Sequence, residues 1–252
     1  MPVLSRPVTD PLRPLLDLPG VDDAVRQARD AVDAVHRHPA NRRGWPATAA
    51  EASVRAARAS AALDGGTSDI PSDGEVDDPV FAGALRIAES IGPLLPVWQR
   101  APMQALARLH VLAAADLGVD DDALGRPRPG RGVANRLDIL AGLVAGGTSV
   151  PGPVLVAVVH GELLTLRPFG SADGVVARSA ARLTSIATGL DPKGLAVPEV
   201  FFLRRSRQYA DAAAGFATGD RTALAEWIVL CCAAIVDGAR EATGIADAAL
   251  AG

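Results

Sequence analysis

The segment His160 to Arg178 reads His-Gly-Glu-Leu-Leu-Thr-Leu-Arg-Pro-Phe-Gly-Ser-Ala-Asp-Gly-Val-Val-Ala-Arg and holds the densest set of residues able to do chemistry. Two guanidinium groups, Arg167 and Arg178, flank a short loop that contains Gly170, Ser171, Asp173 and Gly174. A guanidinium stays protonated near neutrality, so Arg167 supplies charge and hydrogen-bond donors but is no base. The pair could form an anion pocket without catalysis. Two arginine clusters could extend it: Arg126, Arg128 and Arg131, with Arg136 a turn later, and Arg204, Arg205 and Arg207. Gly130-Arg131-Gly132 is weak as a phosphate loop, because no strand precedes it and no Lys or Ser/Thr completes it. The four histidines give no metal spacing, and His36 and His38 point to different faces of one helix. No Cys-His or Ser-His-Asp constellation is legible.

The elements that would position these groups read as helices. Residues 1–20 carry Pro2, Pro7, Pro11, Pro14 and Pro19 and predict an extended arm. Asp22 and Asp23 open a helix whose Val25, Ala28, Val32 and Val35 share one face, and Pro39 ends it. Arg42, Arg43 and Trp45 predict a loop anchor. A second helix spans about 49–63 and stops at Gly65-Gly66. Residues 66–78 predict a polar loop, and Phe81, Leu85, Ala88 and Ile91 mark a third helix that Pro93 and Pro96 should break. Helices follow at about 101–117 and 133–144, with the loop 125–132 between them. The run from Pro153 to Leu166 is apolar on nearly every face. Val154–Val159 could be a buried strand, but the length and Pro153 favour a buried central helix. Further helices are expected near 174–188, 199–215 and 222–242.

The chain has 252 residues, enough for a substantial core, and 49% are hydrophobic, which excludes a disordered chain. Its net charge of −4 argues against a general nucleic-acid binder. Lys193 is the one lysine. Cys231 and Cys232 are adjacent in an apolar run and offer neither a disulfide framework nor zinc spacing. The N-terminus lacks the apolar stretch of a signal peptide, and no run approaches the roughly 20 apolar residues of a membrane span. A cytoplasmic protein is expected.

The segment 167–178 resembles the signature of the Fic (Fic/Doc) family, H-P-F-x-[DE]-G-N-G-R-x-x-R, which follows an apolar helix. Pro168, Phe169, Gly174 and Arg178 are in register. Arg167 stands at the base histidine, Ser171 at the acidic residue, Asp173 at the asparagine and Val175 at the first arginine. His160 lies upstream as in the family's preceding helix and reads as a core histidine. Downstream, the segment from Glu199 to Ala212, with Tyr209 the one tyrosine of the chain, resembles the family's later helix, and Gly219-Asp220 and Ala225-Glu226-Trp227 resemble the turn and final helix that follow it. His110 resembles a histidine of an early core helix, and Gly125-Arg126-Pro127-Arg128 the segment beside the target-docking flap. Ser60-Ala61-Ala62-Leu63-Asp64-Gly65 resembles the inhibitory helix motif [ST]-x-x-x-E-[GN], with Asp for Glu.

The resemblance implies an all-α, Fic-like helical bundle with a central helix-loop-helix and an N-terminal inhibitory-type helix. Residues 1–45 form an arm and helix, and 46–252 the Fic-like domain. In the family the loop cradles nucleotide phosphates, the histidine takes a proton from the attacking hydroxyl, and the acidic residue holds magnesium. Arg167 cannot accept that proton, Val175 cannot neutralise a phosphate, and Asp173 adds negative charge where the anion would sit. Losing a base costs about 10²–10⁴-fold, and losing charge stabilisation a similar factor. The expectation is therefore a catalytically degenerate protein, a pseudoenzyme acting as a regulatory or protein-binding module. No catalytic residue and no metal ligand is assigned. Cofactor or ligand contacts fall to Arg167, Gly170, Ser171, Asp173, Gly174 and Arg178, and inhibition to Ser60, Asp64 and Gly65. Asp64 should pair with Arg178 in a bidentate fork. No cofactor is expected, ATP with magnesium being the one the resemblance would supply. Partners are a protein or an anionic ligand, without nucleic acid or membrane, and a homodimer is compatible. The alternative is a nucleotidyl- or phosphoryl-group transferase with an altered site, for which Glu162 is a candidate base. A helical scaffold without the motif's function is the third reading.

Overall fold

The computed structural model describes residues 10–67, 69, 74, 76–130 and 132–251. The arm residues before Asp10, much of the polar loop 66–78, and Arg131 of the basic cluster lie outside the described residues. The described residues are all-α, with no strand among them. The helices are α1 (Val21–Arg37), α2 (Pro39–Arg43), α3 (Trp45–Leu63), α4 (Pro79–Arg100), α5 (Pro102–Ala114) and α6 (Val133–Gly142). They continue with α7 (Gly152–Leu166), α8 (Asp173–Ala187), α9 (Pro198–Arg204), α10 (Ser206–Thr218) and α11 (Arg221–Ala251).

The α7 helix is the axis of the bundle, because its apolar residues run all round. Every residue from Pro153 to Gly161 is buried. Val154, Val156 and Ala157 join a core with α1, α10 and α11. Leu155, Val159 and Leu163 join a second core with α4, α5, α6 and α8. The strand option for Val154–Val159 is thus overturned: fifteen residues between two layers need a helix that buries both sides. Trp227 of α11 lies against α7 and donates its indole N–H to the Ala157 carbonyl at 2.8 Å.

Several boundaries depart from the sequence reading. The arm is not extended from Pro11 onward: residues Arg13–Asp17 form a 3-10 helix. Asp10 fastens it by accepting the Ser149 backbone N–H at 2.5 Å and the Thr148 hydroxyl at 2.8 Å. Residues 39–43 are a short helix rather than a loop. Pro93 and Pro96 do not break α4, which continues to Arg100. Both prolines are exposed, as are Glu89 and Gly92 four residues earlier, so the carbonyls they deprive of a donor turn to solvent. Ile91, Leu94 and Trp98 meanwhile bury the other face. The single helix expected near 199–215 is two, split at Arg205 (φ −125°, ψ 38°). By length and composition α4 and α11 are apolar enough to cross a membrane, contrary to the sequence reading; here they bury Phe81, Trp98, Trp227 and Ile228 in the cores.

Candidate functional site

The loop between α7 and α8 is a tight reversal. Arg167 ends α7 in the left-handed region (φ 44°), and Gly170 (φ 80°) and Ala172 (φ 50°) complete the turn. Gly170 adopts that backbone freely, whereas Arg167 and Ala172 carry strain. Arg128 holds the loop from outside. Its backbone N–H donates to the Pro168 carbonyl at 2.7 Å, its Nε to the Arg167 carbonyl at 2.8 Å and its Nη2 to the Leu166 carbonyl at 3.1 Å. A cation at the end of α7 thereby satisfies carbonyls that have no helical donor.

Asp173 opens α8 and is buried. Its Oδ1 accepts the Phe169 N–H at 2.9 Å and its Oδ2 the Gly170 N–H at 2.8 Å. The expectation that Asp173 pushes negative charge into the anion site is corrected, because the carboxyl turns back to brace the loop. Burial raises its pKa against the pull of those two N–H groups. Ser171 is also committed. Its Oγ lies 2.9 Å from His110 Nε2, and His110 Nδ1 accepts the Gly125 N–H at 2.9 Å. An imidazole that accepts at Nδ1 carries its proton on Nε2, so Ser171 receives a hydrogen bond and is not activated. His110 stacks on Phe169 with centroids 4.2 Å apart, and burial lowers its pKa.

The decisive contact comes from α3. Gly65 (φ 85°) and Gly66 close that helix: the Gly66 N–H donates to the Ala61 carbonyl at 2.9 Å and the Gly65 N–H to the Ala62 carbonyl at 3.2 Å. This paired closure fixes Asp64 at the helix end. Asp64 Oδ1 lies 2.9 Å from Arg178 Nη2, and Oδ2 accepts the Val175 N–H at 3.0 Å. The expected bidentate fork is therefore not formed, and the carboxylate instead divides between a guanidinium and the first turn of α8. A helix N-terminus favours negative charge, and here a carboxylate of the same chain supplies it. Ser60, one turn back on α3, accepts Arg178 Nε through its hydroxyl at 2.8 Å and Nη2 through its carbonyl at 2.9 Å.

Arg178 is 3% exposed. Burial opposes its charge, but Tyr209 and Asp64 outweigh burial and raise its pKa. The Tyr209 hydroxyl lies 2.7 Å from His160 Nε2. Burial pushes the tyrosine up to about 12 and, with Arg178 nearby, holds His160 down to about 3. His160 is thus the neutral core histidine expected of it. A chain Asp64–Arg178–Tyr209–His160 runs from the surface into the core.

Asp64, Arg178 and Tyr209 border an open cleft of about 680 Å³, with Arg167, the loop 170–174 and Ser206 on its other sides. All the contact residues named from the sequence, and Asp64, are brought together here; Ser60 and Gly65 support Asp64 from behind. Ser206 was missed, since nothing in its neighbourhood marks the start of α10. The two basic clusters disperse. Arg128 serves α7, Arg126 approaches Asp122 at 3.7 Å, and Arg136 pairs with Glu162 at 2.7 Å. Glu162, the candidate base of the transferase reading, pairs with Arg136 and is not among the residues lining the cleft. Arg204 reaches Asp237 and Glu241 at 3.7 Å and 3.6 Å, and Arg205 lies over the Phe201 ring. Among the described residues no His/Cys/Asp/Glu group could hold a metal ion.

No protein-family model matches this sequence, and no curated protein matches it. Solved structures do. A Fic family protein from Desulfovibrio desulfuricans G20 superposes with a TM-score of 0.72 at 19% identity, covering 90% of this chain and 74% of that one. The fold is Fic-like. Fic-1 (aa 134–508) from C. elegans superposes on the Fic-like bundle with a TM-score of 0.68 at 14% identity, covering 89% of this chain and 72% of that one. At these identities the likeness establishes the all-α Fic-like architecture, while the chemistry of the cleft rests on this chain's own residues.

Proposed function

We propose that this Fic-like protein is a regulatory binding module, without AMP transfer, whose cleft takes an anionic ligand or an acidic segment of a protein partner when Asp64 moves aside. The observation that carries the reading is the seat of the Asp64 carboxylate, shared between Arg178 and the Val175 N–H. That seat is built for an anion, and a carboxylate of the same chain fills it. Moving Asp64 would free Arg178 and the Val175 N–H together, with Arg167 at the cleft's edge.

The side chains around the cleft support a reading without transfer chemistry. Arg167 occupies the end of α7 and cannot take a proton. His110 is spent between Gly125 and Ser171, Glu162 is paired with Arg136, and Tyr209 is a poor base with its pKa near 12. The alternative reading, a transferase with an altered site, needs a base that reaches the cleft, and these contacts favour the binding module over it. The test is incubation of wild type and Asp64→Gly with radiolabelled ATP, magnesium and a mixed protein acceptor pool. No label on any protein is expected from either. Label transferred by Asp64→Gly and lost in Asp64→Gly/Arg167→Ala would overturn the proposal in favour of the transferase.

A further inference from the structure

Arg178 has cavities on two sides. The open cleft with Asp64 is on one. On the other are two small pockets of about 40 Å³ and 20 Å³, each lined by Arg178, Arg182 and Glu199. Glu199, near the start of α9, is 4% exposed. Its carboxyl interacts with its own backbone N–H, and Oε2 has no partner. Arg182 donates to the Ala196 carbonyl at 3.0 Å and to Ser53 Oγ at 3.3 Å, but its Nε is also without a partner. A buried carboxyl and two guanidinium groups thus share a space large enough for water, with no direct ion pair between them among the described residues.

We propose that Glu199 is the reserve counter-ion of Arg178, the carboxyl that neutralises the guanidinium from the inner side when Asp64 leaves. The inference rests on the reading of Asp64 as a movable gate. A guanidinium this buried cannot be left unpaired without a large penalty. The other groups facing it are already committed. Asp191, on the larger cavity, bonds to His36 at 2.7 Å and to the Ala196 N–H at 2.8 Å. From α7, His160 is neutral and bonded to Tyr209 of α10. Cys231 of α11 is a thiol whose pKa burial raises well above its usual value. The α4 face brings only Ala84, Ile87, Ala88 and Ile91, and α3 brings Ser53 and Ser60. Burial holds Glu199 above the usual carboxylate range while Arg182 and Arg178 pull it down, so the charge it carries depends on what else neutralises the arginines.

The test is a double-mutant cycle on urea unfolding at neutral pH, using Asp64→Ala, Glu199→Gln and both together. Glutamine keeps the shape and cannot ionise. Asp64→Ala is expected to lower the folding equilibrium constant at least tenfold more in the Glu199→Gln background than in wild type. Equal losses in both backgrounds would overturn the proposal. If the double variant does not fold, the Glu199 carboxyl carbon is followed by NMR in wild type and Asp64→Ala. Its titration midpoint is expected to fall by at least one pH unit, and an unchanged midpoint would overturn the proposal. Neither experiment uses a ligand, so failure of the cleft to bind an anion would be seen separately.

Discussion

A Cβ on residue 174 would stand 2.3 Å from Asp64 Oδ1, so Asp64 reaches Arg178 only because residue 174 is glycine. The Asp64–Arg178 contact has two determinants on different helices, one supplying the carboxylate and the other the space. Gly174→Ala should therefore act like removal of the Asp64 carboxyl. It leaves Arg178 with Ser60 and Tyr209 and should cost about 1–3 kcal/mol, less than a fully buried pair because Asp64 is 26% exposed. Better helix propensity at residue 174 offsets up to about 1 kcal/mol of that. Urea unfolding measures the net loss, and a clearly stabilising result would show that Asp64 is not held by this contact.

Ala172 places a residue with a Cβ in the left-handed region at the turn into α8. Ala172→Gly should stabilise the protein by up to about 1 kcal/mol, the relief of the left-handed strain reduced by the greater freedom of glycine in the unfolded chain. A rise in Tm is expected. A fall would mean that the packing of the Ala172 methyl against the α8 core outweighs the strain.

His160 sets an acid limit on stability. Its folded pKa is about 3, depressed first by burial and then by Arg178, against the usual value near 6.5. Between those values the unfolded chain binds a proton that the folded chain refuses. The contribution is therefore fully present above about pH 6.5 and falls by about 1.4 kcal/mol per pH unit below it. Unfolding free energies at pH 7, 6 and 5 should fall less steeply in His160→Gln than in wild type, by about one proton. Parallel curves would contradict the neutral buried state of His160. Asp173 and Glu199, with raised pKa values, act in the opposite sense and remain in both proteins.

The frame of the site was legible where it follows helical spacing. Ser60 and Asp64 are four residues apart, so they share a face of α3 and meet the same arginine. The α7 helix announces itself by apolar residues on every side. What was not legible depends on where a polar group turns in three dimensions. Asp173 looks like a charge facing the ligand but accepts two N–H groups of its own loop. Arg128 looks like part of an anion patch but is spent on the carbonyls that end α7. Pro93 and Pro96 signal a break by local rules, yet their spacing puts both on the solvent side of α4, where the lost bonds cost little. The split at Arg205 comes from burying Phe201 and Phe202 before it and Tyr209 after it, a change of face that short-range pattern does not show.

The central claim is that Asp64 occupies a working anion seat. The direct measurement is calorimetric titration of ATP, with EDTA and with magnesium, into wild type and Asp64→Gly. The account predicts no more than weak binding to wild type and at least tenfold tighter binding to Asp64→Gly, without a requirement for magnesium. Absence of heat from both proteins, each folded, would contradict it and leave Asp64 as a structural cap on α8.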